Sequence, residues 1–369
     1  MNIKKQTPGD QFKGKKKIDD NPDWENLSDE SFAVLEKYEN LRITPDTDIP
    51  VPVSIITING ETISSEGSIT TFSGASKSGK SALAGWIIAG AISPDGIIND
   101  PLPGLCVEPN PNRKAVIHFD TEQARHKHQY NVKTILRRAD LSENPKYFRS
   151  YNIRQLEIAE YAKVTSEICE AAFTAFKGIH LIVIDGIADY IKDVNDPEQS
   201  NAIIKYFESL AMKYATPIIA IVHTNPGTDK ERGHLGSQIQ RKCESLLMIK
   251  QEGDISFIVP KHLRSAGKGK IQQIQFMYDE EKGYHVGCGV HVGEDTNREA
   301  EKIVLAARIA REVFADQAAL KDGKAVEKVM KVTGKGETVA KGYLTIMRAH
   351  EMIVQGDDKL WRSNPDYWV

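Results

Sequence analysis

The sequence predicts an α/β fold: a mostly parallel sheet with helices on both faces, followed by a small C-terminal domain. Strand-like and helix-like segments alternate over residues 51–290, which is the pattern of a sheet built from crossover connections. A glycine-rich loop joins one strand-like run to a helix-like run, and three later strand-like runs end in polar or charged residues. Because parallel strands end at one edge of a sheet, we expect these residues to form one site.

The loop at residues 74–81 is the most informative stretch. It reads Gly74-Ala75-Ser76-Lys77-Ser78-Gly79-Lys80-Ser81, the spacing of a phosphate-binding P-loop. A strand-like run, Ser68–Ser73, precedes it and a helix-like run, Ala82–Ile88, follows, as this motif requires. Its N–H groups can turn towards a polyphosphate, and the helix dipole favours negative charge. We expect all eight residues to bind ATP, with Lys80 on the β- and γ-phosphates and the Ser81 hydroxyl on Mg²⁺. The alternative is a chance match in a Gly/Ser/Lys loop.

A second strand-like run, Leu181–Asp185, ends in a carboxylate as a Walker B strand does. Asp185 is expected to hold the Mg²⁺ water shell opposite Ser81. The alternative is a strand that ends in an aspartate at an ordinary turn. The next residue is Gly186, where some P-loop enzymes carry a catalytic glutamate. The base must therefore come from elsewhere.

Glu122 is the candidate base. The run Lys114–Phe119 reads as the strand after the P-loop helix and leads into Asp120-Thr121-Glu122. At the carboxyl edge of the sheet, this carboxylate can orient and deprotonate an attacking water. The alternative is that it caps or starts the following helix.

A further strand-like run, Thr216–Val222, ends in His223-Thr224-Asn225. A polar side chain there can sense the γ-phosphate and pass its state to the following loop. The alternative is a structural, hydrogen-bonded histidine.

In this order, the motifs resemble the RecA-like ATPase family, most closely its RepA/DnaB-type hexameric helicase branch. The resemblance covers about residues 52–290. It implies an ATP hydrolase with Mg²⁺ as cofactor, with Glu122 as the water-activating base. It also implies a homo-oligomeric ring, a hexamer.

The resemblance further implies a lysine and an arginine that reach into the neighbouring subunit's ATP site. A strand-like run, Ile255–Val259, is expected to stop at Pro260, and Lys261 and Arg264 follow it. These two would act on the charge of the transition state. The DnaB branch separates the pair by one residue, whereas two intervene here. The alternative is a solvated basic turn.

Two loops are expected at the carboxyl edge, Ile187–Ser200 and Pro226–Gly236. In ring helicases, loops in these places line the central channel and grip single-stranded DNA. The polar contacts available here are Lys192, Lys230, Arg232 and His234. An ordinary solvated surface is the alternative.

Residues 294–369 are expected to form a winged-helix-like domain, because three helix-like stretches precede a strand, a turn and a strand. The helices are predicted at Glu299–Phe314, Ala325–Val332 and Glu337–His350, and the strands at 352–354 and 359–361.

The third of these helices carries the predicted contacts with duplex DNA. Its polar face, suited to phosphates and base edges in a major groove, consists of Thr338, Lys341, Thr345 and Arg348. Its core face is predicted to consist of Val339, Tyr343, Ile346, Met347 and His350. The alternatives are a solvated face or a protein-docking surface.

Residues 1–50 are polar, and we expect a flexible N-terminal segment with one short helix near Ser28–Tyr38. The net charge of −3 gives no global basic signature, so nucleic acid must meet local patches. The four cysteines show neither metal-ligand spacing nor a disulfide framework. With no apolar run of the ~18 residues that a membrane span needs, and no signal peptide, we expect a cytoplasmic protein and no membrane partner.

The sequence therefore predicts a Mg²⁺-dependent ATPase acting on DNA, a ring-forming helicase or translocase. We expect it to serve replication or mobilisation of a plasmid, phage or integrated element. Two alternatives stay open. One is an ATP-switched DNA-binding regulator that unwinds nothing, and the other is a helicase-loader or scaffold ATPase.

Overall fold

The computed structural model describes residues 28–225, 228–266, 271, 273–291, 305–314, 319–356 and 358–368. The chain divides into two compact units, Met1–Val53 and Ser54–Val369. Some predictions fall outside the described residues: the start of the helix predicted at Glu299, and Pro226 and Gly227 of the second predicted loop. The predicted division into 1–50, 51–290 and 294–369 stays a prediction.

The first unit contains the predicted short helix, α1 (Asp29–Lys37). Ser28 is its N-cap, and its hydroxyl accepts a hydrogen bond from the Ser31 N–H at 3.3 Å. A single 3₁₀ turn, Glu39–Leu41, follows. No residue of α1 is buried within this unit.

The second unit is built around a large mixed sheet. The strands that come first along this unit are β1 (Ser54–Ile58), β2 (Glu61–Ser65), β3 (Ile69–Gly74), β4 (Leu105–Val107), β5 (Ala115–Asp120) and β6 (Phe148–Asn152). The later strands are β7 (Ile179–Asp185), β8 (Ile218–His223), β9 (Ser245–Glu252), β10 (Ile255–Leu263), β11 (Gln273–Asp279) and β12 (Tyr284–His291). The helices between them are α2 (Lys80–Ile92), α3 (Arg125–Arg138), α4 (Ile158–Phe176), α5 (Pro197–Tyr214) and α6 (Gly233–Lys242).

The main sheet has the spatial order β12-β11-β10-β9-β3-β8-β7-β5-β6 among the described residues. The six strands from β9 to β6 run parallel, and β10, β11 and β12 extend the sheet in antiparallel fashion. A separate small sheet pairs β1 with β2 and β4. The predicted mostly parallel sheet is thus confirmed.

Helices cover both faces of this sheet, as predicted. Successive strand residues point to opposite faces, so Leu181 and Val183 of β7 pack in a core with α2 and α3. Ile182 and Ile184 of the same strand pack in a second core with α4, α5 and α6. Burial on both faces explains why the parallel strands read as continuous apolar runs.

The two predicted edge loops are shorter than expected. Ile187–Tyr190 forms a buried 3₁₀ turn, and α5 already begins at Pro197. The Asp196 carboxylate caps α5 by accepting backbone N–H groups at 2.8 and 3.1 Å, and proline at the first helical position stabilises this start. In the second loop, α6 begins at Gly233 because Leu235 and Ile239 bury one helical stripe.

The prediction that a strand stops at Pro260 is wrong. Strand β10 continues to Leu263, with a register shift between Pro260 and His262 against β9. The described pairing of β10 with β11 involves only Ile255–Phe257. Pro260 lies at this register shift, an irregularity at which a strand tolerates the missing N–H of proline.

The C-terminal region has a hydrophobic core of its own. Its elements are α7 (305–313), α8 (Asp322–Thr333), α9 (Glu337–Ala349), β13 (Ile353–Gln355) and β14 (Trp361–Ser363). Strands β13 and β14 form an antiparallel hairpin. The element order is the predicted one, while the winged-helix assignment stays a prediction.

The predicted core face of α9 is partly wrong. The residues of α9 that are buried are Ala340, Leu344 and Met347, and Tyr343 and Ile346 pack against them. Val339 and His350 are exposed instead. Relative to the prediction, the helix is turned so that Ala340 and Leu344 face the core while Val339 and His350 do not.

All four cysteines are free in the structure. None of the described helices combines the length and the apolar character that crossing a membrane requires.

Candidate functional site

The predicted site residues from four parallel strands meet at one edge of the sheet. Gly74 of β3 is in register with His223 of β8, and Asp120 of β5 with Asp185 of β7. These positions are the carboxyl ends of adjacent strands, where open α/β sheets bind ligands.

The loop between β3 and α2 has the tight geometry that its glycines allow. A Cβ at Gly74 would lie 2.4 Å from the Ile249 carbonyl oxygen. Gly79 has φ 95°, and a Cβ there would lie 2.5 Å from the Phe276 ring. A side chain at either position would displace the backbone of the loop.

Lys80 is a buried cation at the start of α2. It is 5 % exposed, and its Nζ donates to the carbonyl oxygens of Gly74 at 3.0 Å and Ala75 at 2.7 Å. Burial holds the pKa of this ammonium group below its ordinary value, although the nearby Glu122 and Asp185 carboxylates act to raise it. A buried, carbonyl-bound ammonium is suited to take up an anion in the adjoining pocket.

Ser81 and Asp185 form the expected pair, with Ser81 Oγ 2.7 Å from Asp185 Oδ2. Burial raises the pKa of Asp185 to about 7, the Ser81 hydroxyl opposes this rise, and Asp120 and Glu122 add to it. A carboxylate so destabilised in its charged form gains most from a nearby cation. Hydroxyl and carboxylate oxygens are the donors that Mg²⁺ prefers.

The donor set fits Mg²⁺ held jointly with phosphates. Among the described residues, no group of three or more His, Cys, Asp and Glu side chains is arranged to hold a metal ion. Two protein oxygens, with waters and substrate phosphates for the remaining positions, are the usual protein share of a Mg²⁺ site.

Glu122 and His223 are brought into contact. His223 Nε2 lies 3.1 Å from Glu122 Oε2, and His223 Nδ1 lies 3.2 Å from Lys80 Nζ. An ammonium group only donates, so Nδ1 accepts from Lys80 and the N–H at Nε2 faces Glu122. The capping alternative for Glu122 does not match the structure, because α3 begins at Arg125 with Ala124 as N-cap.

Gly186 is explained by the packing of the strand end. Thr121 Oγ1 lies 2.7 Å from Asp189 Oδ2 and 3.0 Å from the Asp185 carbonyl oxygen. A Cβ at position 186 would lie 2.0 Å from that Thr121 hydroxyl, and Gly186 has φ 108°. A glutamate directly after Asp185 would therefore disrupt this packing.

A pocket of about 500 Å³ extends from residues 76–82 along α2 to α3 and the β11–β12 hairpin. Its far end is aromatic, lined by Tyr130, Tyr278 and Tyr284. A basic end beside an aromatic end matches a nucleoside polyphosphate in size and chemistry. No sequence motif marks these tyrosines as pocket residues. The one local signal is the position of Tyr130, eight residues after Glu122 and thus in the helix that follows it.

Arg138 closes the aromatic end of the pocket. It is 2 % exposed, its guanidinium lies 3.7 Å from the Trp86 ring centroid, and it donates to the His285 carbonyl oxygen. Burial lowers the pKa of Arg138 to about 10. Sequence reasoning missed it because its partners come from distant elements.

Lys261 lies near the end of β10 and Arg264 directly follows this strand. Both contact residues of their own chain. Lys261 Nζ lies 2.8 Å from Glu231 Oε1, and the Arg264 guanidinium donates to the Arg241 carbonyl oxygen. Glu231 is 5 % exposed and also accepts from Gln240 Nε2 at 2.7 Å. Lys261 therefore neutralises a buried carboxylate within its own subunit.

The residues predicted to contact DNA differ in their exposure and in their contacts with other side chains. Arg232 is exposed at the N-cap of α6, and Thr338 and Thr345 are exposed on α9. Lys341 is exposed and pairs with Glu337 at 2.7 Å. Arg348 is half-buried, pairs with Asp322 and lies 4.4 Å from the Trp361 ring centroid. Lys192 and Lys230, in the loops, and His234, in the first turn of α6, are all exposed.

Comparison with known proteins gives one family match. A model described as an AAA domain matches residues 58–229, which include the P-loop, Glu122, Asp185 and His223. No curated protein matches this sequence. Among solved structures, a KaiC-like protein from the hyperthermophilic archaeon Pyrococcus horikoshii OT3 aligns over 66 % of this chain and 100 % of its own, with 10 % identity and a TM-score of 0.44. The matched segment of this chain is similar to AAA domains, and this match together with the site geometry supports a RecA-like P-loop ATPase.

Proposed function

We propose that this chain is a Mg²⁺-dependent ATPase that couples hydrolysis to movement on DNA, as a ring-forming helicase or translocase. The observation that carries the ATPase part is the convergence of Lys80, Ser81, Asp185 and Glu122 beside one pocket of about 500 Å³. The position of the pocket at the carboxyl edge of a parallel sheet agrees with this chemistry.

Each of these side chains has a role that its surroundings support. Residues 74–81 cradle the phosphates, and Lys80 neutralises the β- and γ-phosphates. Ser81 and Asp185 hold Mg²⁺, which when bound offsets phosphate charge. Glu122 orients the attacking water and accepts its proton. His223, bonded to both Lys80 and Glu122, senses whether the γ-phosphate is present.

The DNA part of the proposal rests on the loops beside His223. Lys192, Lys230 and Arg232 are exposed in the loops that follow the strands carrying Asp185 and His223, and His234 is exposed in the first turn of α6. Hydrolysis can therefore move the residues that would grip single-stranded DNA. In a hexameric ring, Lys261 and Arg264 would act on the neighbour's transition state after leaving their own-chain contacts. An ATP site, exposed polar residues beside it and a ring would together suit a motor for replication or mobilisation of a plasmid, phage or integrated element.

The test is ATP turnover of the full chain with and without single-stranded DNA, with Lys80→Ala as the blank. We expect turnover to rise several-fold with DNA and to vanish in Lys80→Ala. Light scattering with and without MgATP reports ring assembly in the same samples. Turnover that ignores DNA would overturn the motor proposal while leaving the ATPase part intact.

One observation favours a second candidate, a nucleotide-switched regulator. Lys261 and Arg264 are both bonded within their own chain, and an ATPase that lacks these trans contacts turns over slowly. A regulator of this kind would show slow hydrolysis, indifference to single-stranded DNA, and ATP-dependent binding of duplex DNA through α9. A loader or scaffold would instead keep its DNA affinity unchanged when Lys341 is replaced.

A further inference from the structure

A buried chain of polar side chains lies directly behind Glu122. Asp120 Oδ2 is 2.8 Å from His128 Nδ1, and His128 Nε2 is 2.8 Å from Ser150 Oγ. The same Ser150 hydroxyl lies 2.9 Å from His118 Nδ1. The two imidazole rings stack with centroids 5.2 Å apart.

Asp120 connects this chain to the backbone at Glu122. Its Oδ1 accepts the backbone N–H of Glu122 at 3.0 Å and of Gln123 at 2.8 Å. Two N–H groups on one oxygen fix the peptide from which the Glu122 side chain projects. The orientation of the Asp120 carboxylate therefore sets where the Glu122 carboxylate can reach.

His128 in turn orients Asp120. Burial by itself raises the pKa of Asp120, but the hydrogen bonds from His128 and Gln123 outweigh it and hold this pKa below its ordinary value. The His128 ring is 6 % exposed and is bonded at both nitrogens, so it has one orientation. A carboxylate buried this deeply needs such a partner to stay charged and fixed.

His128 does not line the pocket of about 500 Å³ that adjoins Lys80; it lines a separate cavity of about 450 Å³ with Arg125 and Asn152. An effect of His128 on turnover is therefore indirect: it passes through Asp120, or through Ser150 to His118, which lines that pocket. This separates it from residues that contact the nucleotide.

We propose that His128 is a positioning residue for hydrolysis, which fixes the backbone of Glu122 through the Asp120 carboxylate. The inference rests on the proposed role of Glu122 as the base. A small displacement of a general base costs rate without costing ground-state binding. The expected signature is a fall in kcat at unchanged KM.

Two substitutions separate positioning from simple packing. An asparagine amide overlies the Nδ1 side of an imidazole and keeps a donor for Asp120, whereas a glutamine amide overlies the Nε2 side and keeps only the Ser150 contact. His128→Gln should lower kcat about 10- to 100-fold at unchanged KM, and His128→Asn should retain most of kcat. The matched controls are His126→Gln and His126→Asn, since His126 is exposed on the same helix.

A combined variant ties the effect to Glu122. If His128 acts through the base, His128→Gln should lower turnover no further in a Glu122→Gln background. Equal losses in His128→Gln and His128→Asn, or a parallel rise in KM, would overturn the inference in favour of a packing role. If Glu122→Gln hydrolyses ATP like the wild type, the proposed base is wrong. If that variant is inactive and His128→Gln is not impaired, only the present inference fails.

Should His128→Gln not fold, Ser150→Ala tests the same chain. It removes the anchor at His128 Nε2 and leaves the Asp120 contact in place, so kcat should fall a few-fold with KM unchanged. Wild-type kcat in a folded Ser150→Ala protein would count against the inference.

Discussion

His223 lies in hydrogen-bond contact with Glu122 across the end of β7, with His223 Nε2 3.1 Å from Glu122 Oε2. Because its other nitrogen accepts from Lys80, one imidazole connects the phosphate-binding cation to the carboxylate. A phosphate that draws Lys80 towards itself removes the donor at Nδ1. We therefore expect the Glu122 carboxylate to have more freedom in the nucleotide-bound protein than in the free protein.

Glu122→Gln should keep nucleotide binding and lose turnover by about 10²- to 10⁴-fold, because an amide cannot accept the proton of the attacking water. Single-turnover hydrolysis and equilibrium binding of a fluorescent ATP analogue measure the two quantities. Glu167→Gln, at an exposed position of α4, is the control. Wild-type hydrolysis in Glu122→Gln would remove this residue from the mechanism.

Asp185→Asn should abolish the contribution of Mg²⁺ to nucleotide affinity. The amide keeps a hydrogen-bonding contact with Ser81 but has no charge to offer a divalent cation. ATP affinity measured with Mg²⁺ and with EDTA should differ in the wild type and coincide in the variant. Asp193→Asn, at an exposed site eight residues further on, should behave like the wild type. A retained Mg²⁺ effect in Asp185→Asn would assign the cation to other residues.

Much of this site could be predicted because its signals are local. The strand–loop–helix around Lys80 and the apolar runs that end at Asp120, Asp185 and His223 each fit within a dozen residues. Parallel strands then bring their carboxyl ends together whatever the intervening segments do. The face of β7 occupied by each residue likewise follows from alternation alone.

The remainder depends on contacts between distant segments. Strand β10 continues through Pro260 to Leu263 because it stays paired with β9 past a register shift next to Pro260, which no local pattern shows. Tyr284 and Arg138 share the aromatic end of the pocket although 146 positions separate them in the sequence numbering. The core face of α9 differs from the predicted one in that Ala340, a weakly apolar residue, is buried while the larger Val339 is exposed.

Acidification from about pH 6.5 to pH 4 should remove the stabilising contributions of His118 and His285, whereas Asp185, with its pKa raised to about 7, contributes in the opposite direction. Burial lowers the pKa of His118 to about 4, and burial with Arg138 nearby lowers that of His285 to about 4. The unfolded chain takes up these protons near pH 6.5. The contribution of the two histidines to the free energy of unfolding is therefore complete above that pH and is lost as the pH falls below it. For His285 the loss by pH 4.5 is about 1–2 kcal/mol.

Urea denaturation at pH 7 and pH 4.5 measures this effect. His285→Gln and His118→Gln should each reduce the difference between the two pH values, and exposed His126→Gln should not. An unchanged difference in both buried variants would mean that other groups cause the acid sensitivity.

Lys261→Met should destabilise the fold by about 2–4 kcal/mol, because it leaves the buried Glu231 carboxylate without its cation. The double variant Glu231→Gln with Lys261→Met should recover much of this loss, since neither charge remains buried alone. Activity of the double variant then separates the two roles of Lys261. Restored turnover would assign it a structural role. Lost turnover in a stable protein would support action on the neighbouring subunit.

Arg348→Ala should lower the stability of the protein and Lys341→Ala should not, although both residues belong to the predicted DNA face of α9. Arg348 is held by Asp322 and the Trp361 ring, so its loss should lower the free energy of unfolding by about 1–2 kcal/mol.

Lys341 is exposed and pairs only weakly with Glu337, so its loss should leave the melting temperature unchanged. If α9 binds DNA, Lys341→Ala should weaken duplex binding and reduce the salt dependence of log K by about one unit. Fluorescence anisotropy over a salt series measures the DNA affinity. The control is Lys324→Ala, at an exposed position of α8. Equal DNA affinities in Lys341→Ala and Lys324→Ala would exclude this face of α9 as the DNA contact and favour a protein partner for it.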